Sequence, residues 1–201
     1  MNSGDAQALH LRDFNAHDLP QLAQAFADAR VRAFYGLATT RTDGAFIARE
    51  QLDWYAELAA DGEGWWQALC VPQPGGPGAT SPAQGAAASA AAGAVMGGIG
   101  VYARDDDGDS AELGFWLAHA AWGQGWMKQA LPLFLPQAFA RLKLHSVQAY
   151  VEPENARSLH RLQAAGFVHE GVQRECSRRA DGRYVSLHRL SLLVHELPLA
   201  G

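Results

Sequence analysis

Two spacings of apolar residues alternate along this chain, one near two and one near three to four, and the changes between them mark out its elements. Ala8 to Arg12 alternate as a short strand. Asp18-Leu-Pro then opens a helix, with an acid at the capping position and a proline in the first turn, running to about Arg30. Ile47, Leu52, Tyr55 and Leu58 recur near helical spacing and predict a second helix from near Phe46 to Ala60, stopped by Asp61-Gly62. Two strands follow, Trp65 to Val71 and Ala94 to Tyr102. Between them, Pro72 to Gly93 holds almost only Pro, Gly, Ala, Ser, Thr and Gln, which predicts a mobile hairpin loop without large apolar anchors. An Ala-rich helix over Ala86 to Ala92 is the competing reading.

Asp105-Asp-Asp-Gly-Asp-Ser reads as a charged turn, and Ala111 to Ala118, dense in apolar and aromatic residues, as a central strand. Trp122-Gly-Gln-Gly follows, then a helix to about Leu142. Pro132 and Pro136 each remove a backbone donor from that helix, which predicts a kink or an interruption. Ser146 to Val151 is another strand, and Asn155 to Ala165 another helix, ended by Gly166. Gly171 to Arg178 and Val185 to Glu196 close the chain as an antiparallel pair around Asp181-Gly182. The order is β-α-α-β-β-β-α-β-α-β-β, with no internal repeat.

Composition narrows the class. The 201 residues, 48% of them hydrophobic, suffice for a single α/β (α+β) domain over residues 1–201. Sixteen Lys and Arg against 21 Asp and Glu give a formal charge of −5, a poor match for a phosphate backbone, so no nucleic-acid partner is expected. Met1 to Gln7 is short and polar, and no apolar run approaches the ~18 residues of a membrane span. Cys70 and Cys176 lie far apart without metal-ligand spacing. A soluble, cytoplasmic protein is expected. His145, His160, His169, His188 and His195 are scattered and form no metal-binding motif, so no metal is predicted.

The chemistry concentrates in a strand, turn and helix: Glu112-Leu-Gly-Phe-Trp-Leu-Ala, then Trp122-Gly-Gln-Gly-Trp-Met. A helix N-terminus leaves backbone N–H groups unpaired at a positive dipole end, and glycines let a phosphate approach them. By itself such a turn is equally a plain helix cap. A second element changes the balance: Val151-Glu-Pro-Glu-Asn-Ala-Arg-Ser-Leu, followed by Ala164-Ala-Gly-Phe and Glu170-Gly.

Together these motifs resemble those of the GCN5-related N-acetyltransferases, and within them the RimJ/RimL-like branch that acetylates ribosomal-protein N-termini. The resemblance runs over nearly the whole chain and is strongest from Ala111 to Gly171. It implies a mixed, mostly antiparallel sheet of about seven strands, splayed at its centre and flanked by about four helices. The family's cofactor fingerprint falls on Trp122, Gly123, Gln124, Gly125, Trp126 and Met127, where Trp122 and Met127 depart from it. Acetyl-CoA is the implied cosubstrate. Its pantetheine arm is expected along Phe115, Trp116 and Leu117, as a peptide adds to a sheet edge. The pyrophosphate is expected on the amides from Trp122 to Met127, with Asn155 and Ser158 near the pantetheine and thiol. Asn155 is equally a favoured helix cap, and both roles can coexist.

The reaction so implied is direct attack of a primary amine on the thioester, with Glu112 the candidate base, acting directly or through water. A surface glutamate at a strand start is the other reading. Leu162 stands where the wider family often has a tyrosine acid, so Ser158 becomes the candidate donor to the leaving thiolate, although a helix-surface serine fits it equally. Acceptor contacts are sought among Tyr35, Trp54, Tyr55, Trp65 and Trp66, most of which are expected in the core. Arg174, Arg178, Arg179 and Arg183 read first as a solvated hairpin, and otherwise as a run that holds a phosphate or an acidic acceptor surface. The partner is thus an amine, either a protein N-terminus or a small molecule, and homodimerisation is left open. The alternative to an enzyme is an acyl-CoA-binding sensor or interaction module with impaired chemistry.

Overall fold

The computed structural model describes residues 9–35, 41–71, 93–103, 109–179 and 181–197. The polar start 1–8, the Ala-rich segment 72–92 and the acidic residues 104–108 lie outside the described residues, and with them the expected hairpin loop, its helical alternative and most of the charged turn.

Seven strands form one sheet in the order β1-β2-β3-β4-β5-β7-β6. They are β1 (His10–Asp13), β2 (Gly64–Val71), β3 (Ala94–Ala103), β4 (Ser110–Leu117), β5 (Ser146–Val151), β6 (Val168–Arg178) and β7 (Tyr184–Leu193). Neighbours run antiparallel except for β4 and β5, which are parallel. The α-helices are α1 (Leu19–Ala27), α2 (Ala29–Tyr35), α3 (Gly44–Asp61), α4 (Trp126–Leu142) and α5 (Ala156–Ala164).

β2 is buried along its whole length because both faces of the sheet are covered. Its alternation divides the core in two. Trp65, Leu69 and Val71 join the α4 side, where Trp65 stacks on Phe134 at 5.2 Å. Trp66, Ala68 and Cys70 join the α1 and α3 side with Leu22, Phe26 and Ile47. On that side the Trp66 indole lies against the sheet: a Cβ at Gly100 would come within 2.2 Å of it, and one at Gly114 within 2.7 Å. Tyr55 of α3 stacks on the same indole, with centroids 4.6 Å apart and planes 15° from parallel.

Four local expectations are corrected. The single helix expected to Arg30 is two helices, because Asp28 takes an extended conformation (ψ 117°) and turns its carboxylate to the backbone N–H of Arg30. Asp18 does not cap α1 with its side chain. Its carboxylate, 1% exposed, accepts two hydrogen bonds from the Arg12 guanidinium at 2.6 and 2.8 Å and one from the Asn15 backbone N–H. Helix α4 continues through Pro132 and Pro136 without a break. The carbonyls deprived of a donor belong to Lys128 and Pro132, and both residues lie on the exposed stripe of the helix, where solvent is available to them. Beyond β7 the expected strand ends in a 3-10 turn, Val194–Glu196.

Candidate active site

β4 and β5 share three register pairs: Ser110 with Ser146, Ala111 with Val147 and Glu112 with Gln148. β4 then runs on to Leu117 and β5 to Val151 with no further pairing between them. A cleft of about 1120 Å³ opens where they part, walled by Leu113 to Leu117 on one side and Ala149 to Val151 on the other. Peptide groups of β4 that would have faced β5 therefore face the cleft.

At the end of β4 the chain makes a short 3-10 turn, His119–Ala121, and reaches Trp122. The Trp122 indole N–H donates to the Leu117 carbonyl at 2.9 Å, which folds the turn back onto the strand. Gly123 and Gly125 both take the left-handed conformation, with φ of 76° and 81°, which favours glycine. A Cβ at either would meet nothing within 4 Å, so the space over the turn is open. Gly125 is the N-cap of α4 and offers no side-chain acceptor, whereas α3 and α5 are capped by Asp43 and Asn155. Trp126 and Met127 are 7% and 6% exposed, their side chains drawn into the α4 core. Both residues also line the cleft.

The first turn of α5 forms the facing wall. Asn155 caps it, accepting from the Ser158 backbone N–H at 3.2 Å, and both residues line the cleft. Arg179 braces this wall from the β6–β7 hairpin through a two-point ion pair with Glu152, and it also approaches Glu154 at 3.9 Å. Lys128 of α4 and Arg157 and Arg161 of α5 line the cleft as well, adding cations to its walls. Sequence reasoning passed over these three. The spacing of Arg157 and Arg161, one helical turn apart just after Asn155, was the available signal. Of the hairpin arginines, Arg183 pairs within its own turn with Asp181, and the Arg178 guanidinium donates to the Gly182 carbonyl.

Glu112 lines the cleft at the last rung of the β4–β5 ladder, and its register partner on β3 is Tyr102. Tyr35 and Trp54 reach the cleft, joined by Gln51, Trp66 and Tyr102. Tyr55 lies behind them, 4% exposed, in a closed network: its hydroxyl is 2.7 Å from that of Tyr35 and accepts from the Trp116 indole N–H at 3.2 Å, while Tyr35 donates to Gln51 Oε1 at 2.9 Å. Burial holds the Tyr35 and Tyr55 hydroxyls well above their ordinary pKa, so both stay neutral. Trp65 faces the other core. Leu162 is fully buried and lines the cleft without a polar group. Tyr150, half-buried on β5, was not singled out from the sequence; its hydroxyl donates to Gln148 Oε1 at 2.9 Å. Among the described residues no group of three or more His, Cys, Asp or Glu is placed to hold a metal, and no helix is long and apolar enough to cross a membrane.

A family model described as an acetyltransferase (GNAT) domain matches residues 8–168. The chain is 33% identical over 102 residues to the uncharacterized N-acetyltransferase p20 of Bacillus licheniformis, covering 51% of this chain and 57% of that protein. It is 41% identical over 66 residues to the probable N-acetyltransferase YjcK of Bacillus subtilis strain 168, covering 33% of this chain and 36% of that one. The matches thus span no more than 57% of either relative's length. Among solved structures, Mycobacterium smegmatis RimJ in complex with CoA-disulfide has the same fold, with a TM-score of 0.76 over 97% of this chain and 86% of that one at 19% identity.

Proposed function

The chain belongs to the acetyltransferase (GNAT) family, and from that premise we propose that it moves an acetyl group from acetyl-CoA directly to a primary amine. The observation that carries this reading is the parting of β4 from β5 above an uncapped glycine turn. An amide-rich pantetheine arm replaces the missing strand, taking up peptide groups of Phe115 to Leu117. The open side of the turn receives the pyrophosphate on amides between Trp122 and Met127, with Lys128, Arg157 and Arg161 offsetting its charge. Open space, first-turn amides and cations together are a donor set that fits the group.

Bound acetyl-CoA supplies a thioester carbon and a thiolate leaving group. Glu112 accepts a proton from the acceptor ammonium, directly or through one water, so that nitrogen attacks with a free lone pair. As the C–N bond forms and the C–S bond breaks, the second amine proton passes toward the departing sulfur, where the Ser158 hydroxyl donates a hydrogen bond. Neither cysteine takes part: Cys70 is fully buried, and Cys176 lies on the exposed hairpin. Two free thiols also support a reducing, cytoplasmic setting. The RimJ/RimL-like branch remains our assignment within the family, and a protein N-terminus or a small amine is the acceptor.

Calorimetric titration of acetyl-CoA into the wild-type chain and into Gly125→Asp tests the site, because the variant sets a carboxylate where the pyrophosphate belongs. Saturable wild-type binding, lost in a variant still folded by circular dichroism, is the expected result. No wild-type binding sinks the reading. Binding without thiol release across an amine panel supports instead a sensor that keeps the cleft and lacks the chemistry, the case to which the apolar Leu162 lends weight.

A further inference from the structure

We propose that Arg179 is a positioning residue for acetyl transfer, tying the β6–β7 hairpin to the turn that presents Asn155 and Ser158; this inference rests on the acetyltransferase reading above. The turn begins where β5 ends, at Val151. Glu152 follows, and its carbonyl accepts from the Asn155 backbone N–H at 2.9 Å, which closes the bend. Asn155 in turn accepts from the Ser158 backbone N–H with its side-chain oxygen and so sets the first turn of α5. Bend and first turn are therefore one unit, and Glu152, Asn155 and Ser158 all line the cleft. The pairing of β5 with β4 stops at Gln148, and its pairing with β7 stops at Val151 and His188. The unit thus begins just past the last rung of the sheet.

Arg179 carries the attachment one residue further, from 27 positions away in the chain. Its Nε donates to Glu152 Oε1 at 3.1 Å, its Nη2 meets Oε2 of the same carboxylate, and Glu154 Oε2 lies 3.9 Å from that nitrogen. A two-point contact fixes the plane of the carboxylate as well as its distance, which a single hydrogen bond does not. The grip has a firm base: the Arg179 backbone N–H donates to the Arg183 carbonyl, and its own carbonyl accepts from the Gly182 N–H, both at 2.9 Å. The side chain thus springs from the closed end of the hairpin, whose Ser177 and Leu187 also line the cleft. The pair is largely withdrawn from water, with the Arg179 and Glu152 side chains 30% and 16% exposed, and it is screened less than a surface pair. Holding the bend matters because a thiolate donor acts only in place, and a shift of about 1 Å costs on the order of 10²-fold in rate.

Three variants separate positioning from charge. Arg179→Lys keeps the cation and loses the fork, Arg179→Gln loses both, and Arg179→Gln combined with Glu152→Gln also removes the carboxylate left alone. Amide hydrogen exchange, read by NMR, needs neither donor nor acceptor. In both single variants the Asn155 and Ser158 amides should exchange about tenfold faster, while amides of α4 keep their wild-type rates. By calorimetry, the Kd for acetyl-CoA should stay within about twofold of wild type in Arg179→Lys and rise about tenfold in Arg179→Gln, where a lone carboxylate faces an anionic cofactor. The double variant should restore it. With whichever amine the panel ranks first, kcat should fall about tenfold or more in all three proteins. Unchanged exchange at Asn155 and Ser158 in Arg179→Gln overturns the proposal, whether or not any amine is acetylated. A wild-type kcat in Arg179→Lys overturns it too, and so does faster exchange spread over the whole chain, which marks a folding role alone. Failure of the wild type to bind acetyl-CoA removes the reading beneath and this inference with it, whereas binding with unaltered exchange removes this inference alone.

Discussion

Glu112 on β4 stands opposite Gln148 on β5 in the last register pair before the two strands part. Gln148 is itself fixed, donating to Ser110 Oγ at 3.1 Å and accepting from the Tyr150 hydroxyl. The carboxylate therefore sits at the root of the cleft on a rigid rung. Glu112→Gln keeps the shape and removes the proposed proton acceptor. We expect kcat to fall by about 10²–10⁴ with acetyl-CoA affinity unchanged. An unaltered kcat would hand proton acceptance to another group.

The indole of Trp66 occupies the space that side chains at positions 100 and 114 would need. Gly100→Ala drives a methyl to within 2.2 Å of a ring that Tyr55 holds from α3. A loss of about 1–3 kcal/mol or more is expected in urea unfolding. Gly62→Ala is the control: it strains a left-handed residue (φ 74°) in open space and should cost about 1 kcal/mol. Equal losses would mean that the indole swings aside freely.

Arg12 and Asp18 fasten β1 to the start of α1. Because Asp18 is 1% exposed, Arg12→Met strands a buried carboxylate and should cost about 3–5 kcal/mol, measured by denaturant titration. Adding Asp18→Leu to that variant should restore part of the loss, since no charge is then left alone. A double variant less stable than the single one would contradict this account.

Burial pushes the Cys70 thiol up to about 11, against the opposing pull of Arg12. The unfolded chain gives up that proton first, so the contribution of Cys70 to stability is complete below about pH 8.5 and is lost as pH rises toward 11. Unfolding midpoints should fall over that window, and fall less in Cys70→Val. At pH 8 a thiol reagent should label Cys176 in the folded protein and both cysteines after unfolding. Labelling of Cys70 in the native state would refute its inert placement.

Much of the fold was legible because periodicity and punctuation agreed. The alternation in Trp65 to Val71 assigns residues to two cores, and Gly62 ends α3 where Asp61-Gly62 predicted. What escaped were outcomes decided by partners distant in sequence or by solvent. Asp18 carries the local signature of a cap for α1, yet its carboxylate is taken by Arg12 and the Asn15 backbone N–H instead. Pro132 and Pro136 look like breakers, yet the residues whose carbonyls lose a donor, Lys128 and Pro132, are exposed to solvent. In the candidate site, the glycine turn and Asn155 stood out because special backbone conformations and caps use a short residue vocabulary. Of the aromatics that line the cleft, Tyr35, Trp54 and Trp66 stood among five candidates and Tyr102 was missed, since they meet only through packing between α2, α3, β2 and β3. Nothing local distinguishes them from Tyr55, which lies one residue after Trp54 and points into the core.

The three register pairs between β4 and β5 join two panels of one sheet, β1 to β4 and β5 to β6. A ligand whose amides bridge both panels supplies rungs that the chain lacks, and so becomes part of the framework rather than a passenger. By mass action, donor at about 100 times its Kd adds about 2.7 kcal/mol to the resistance of the whole domain to unfolding. The melting temperature should then climb with the concentration of the donor, a readout of cofactor supply that needs no acceptor.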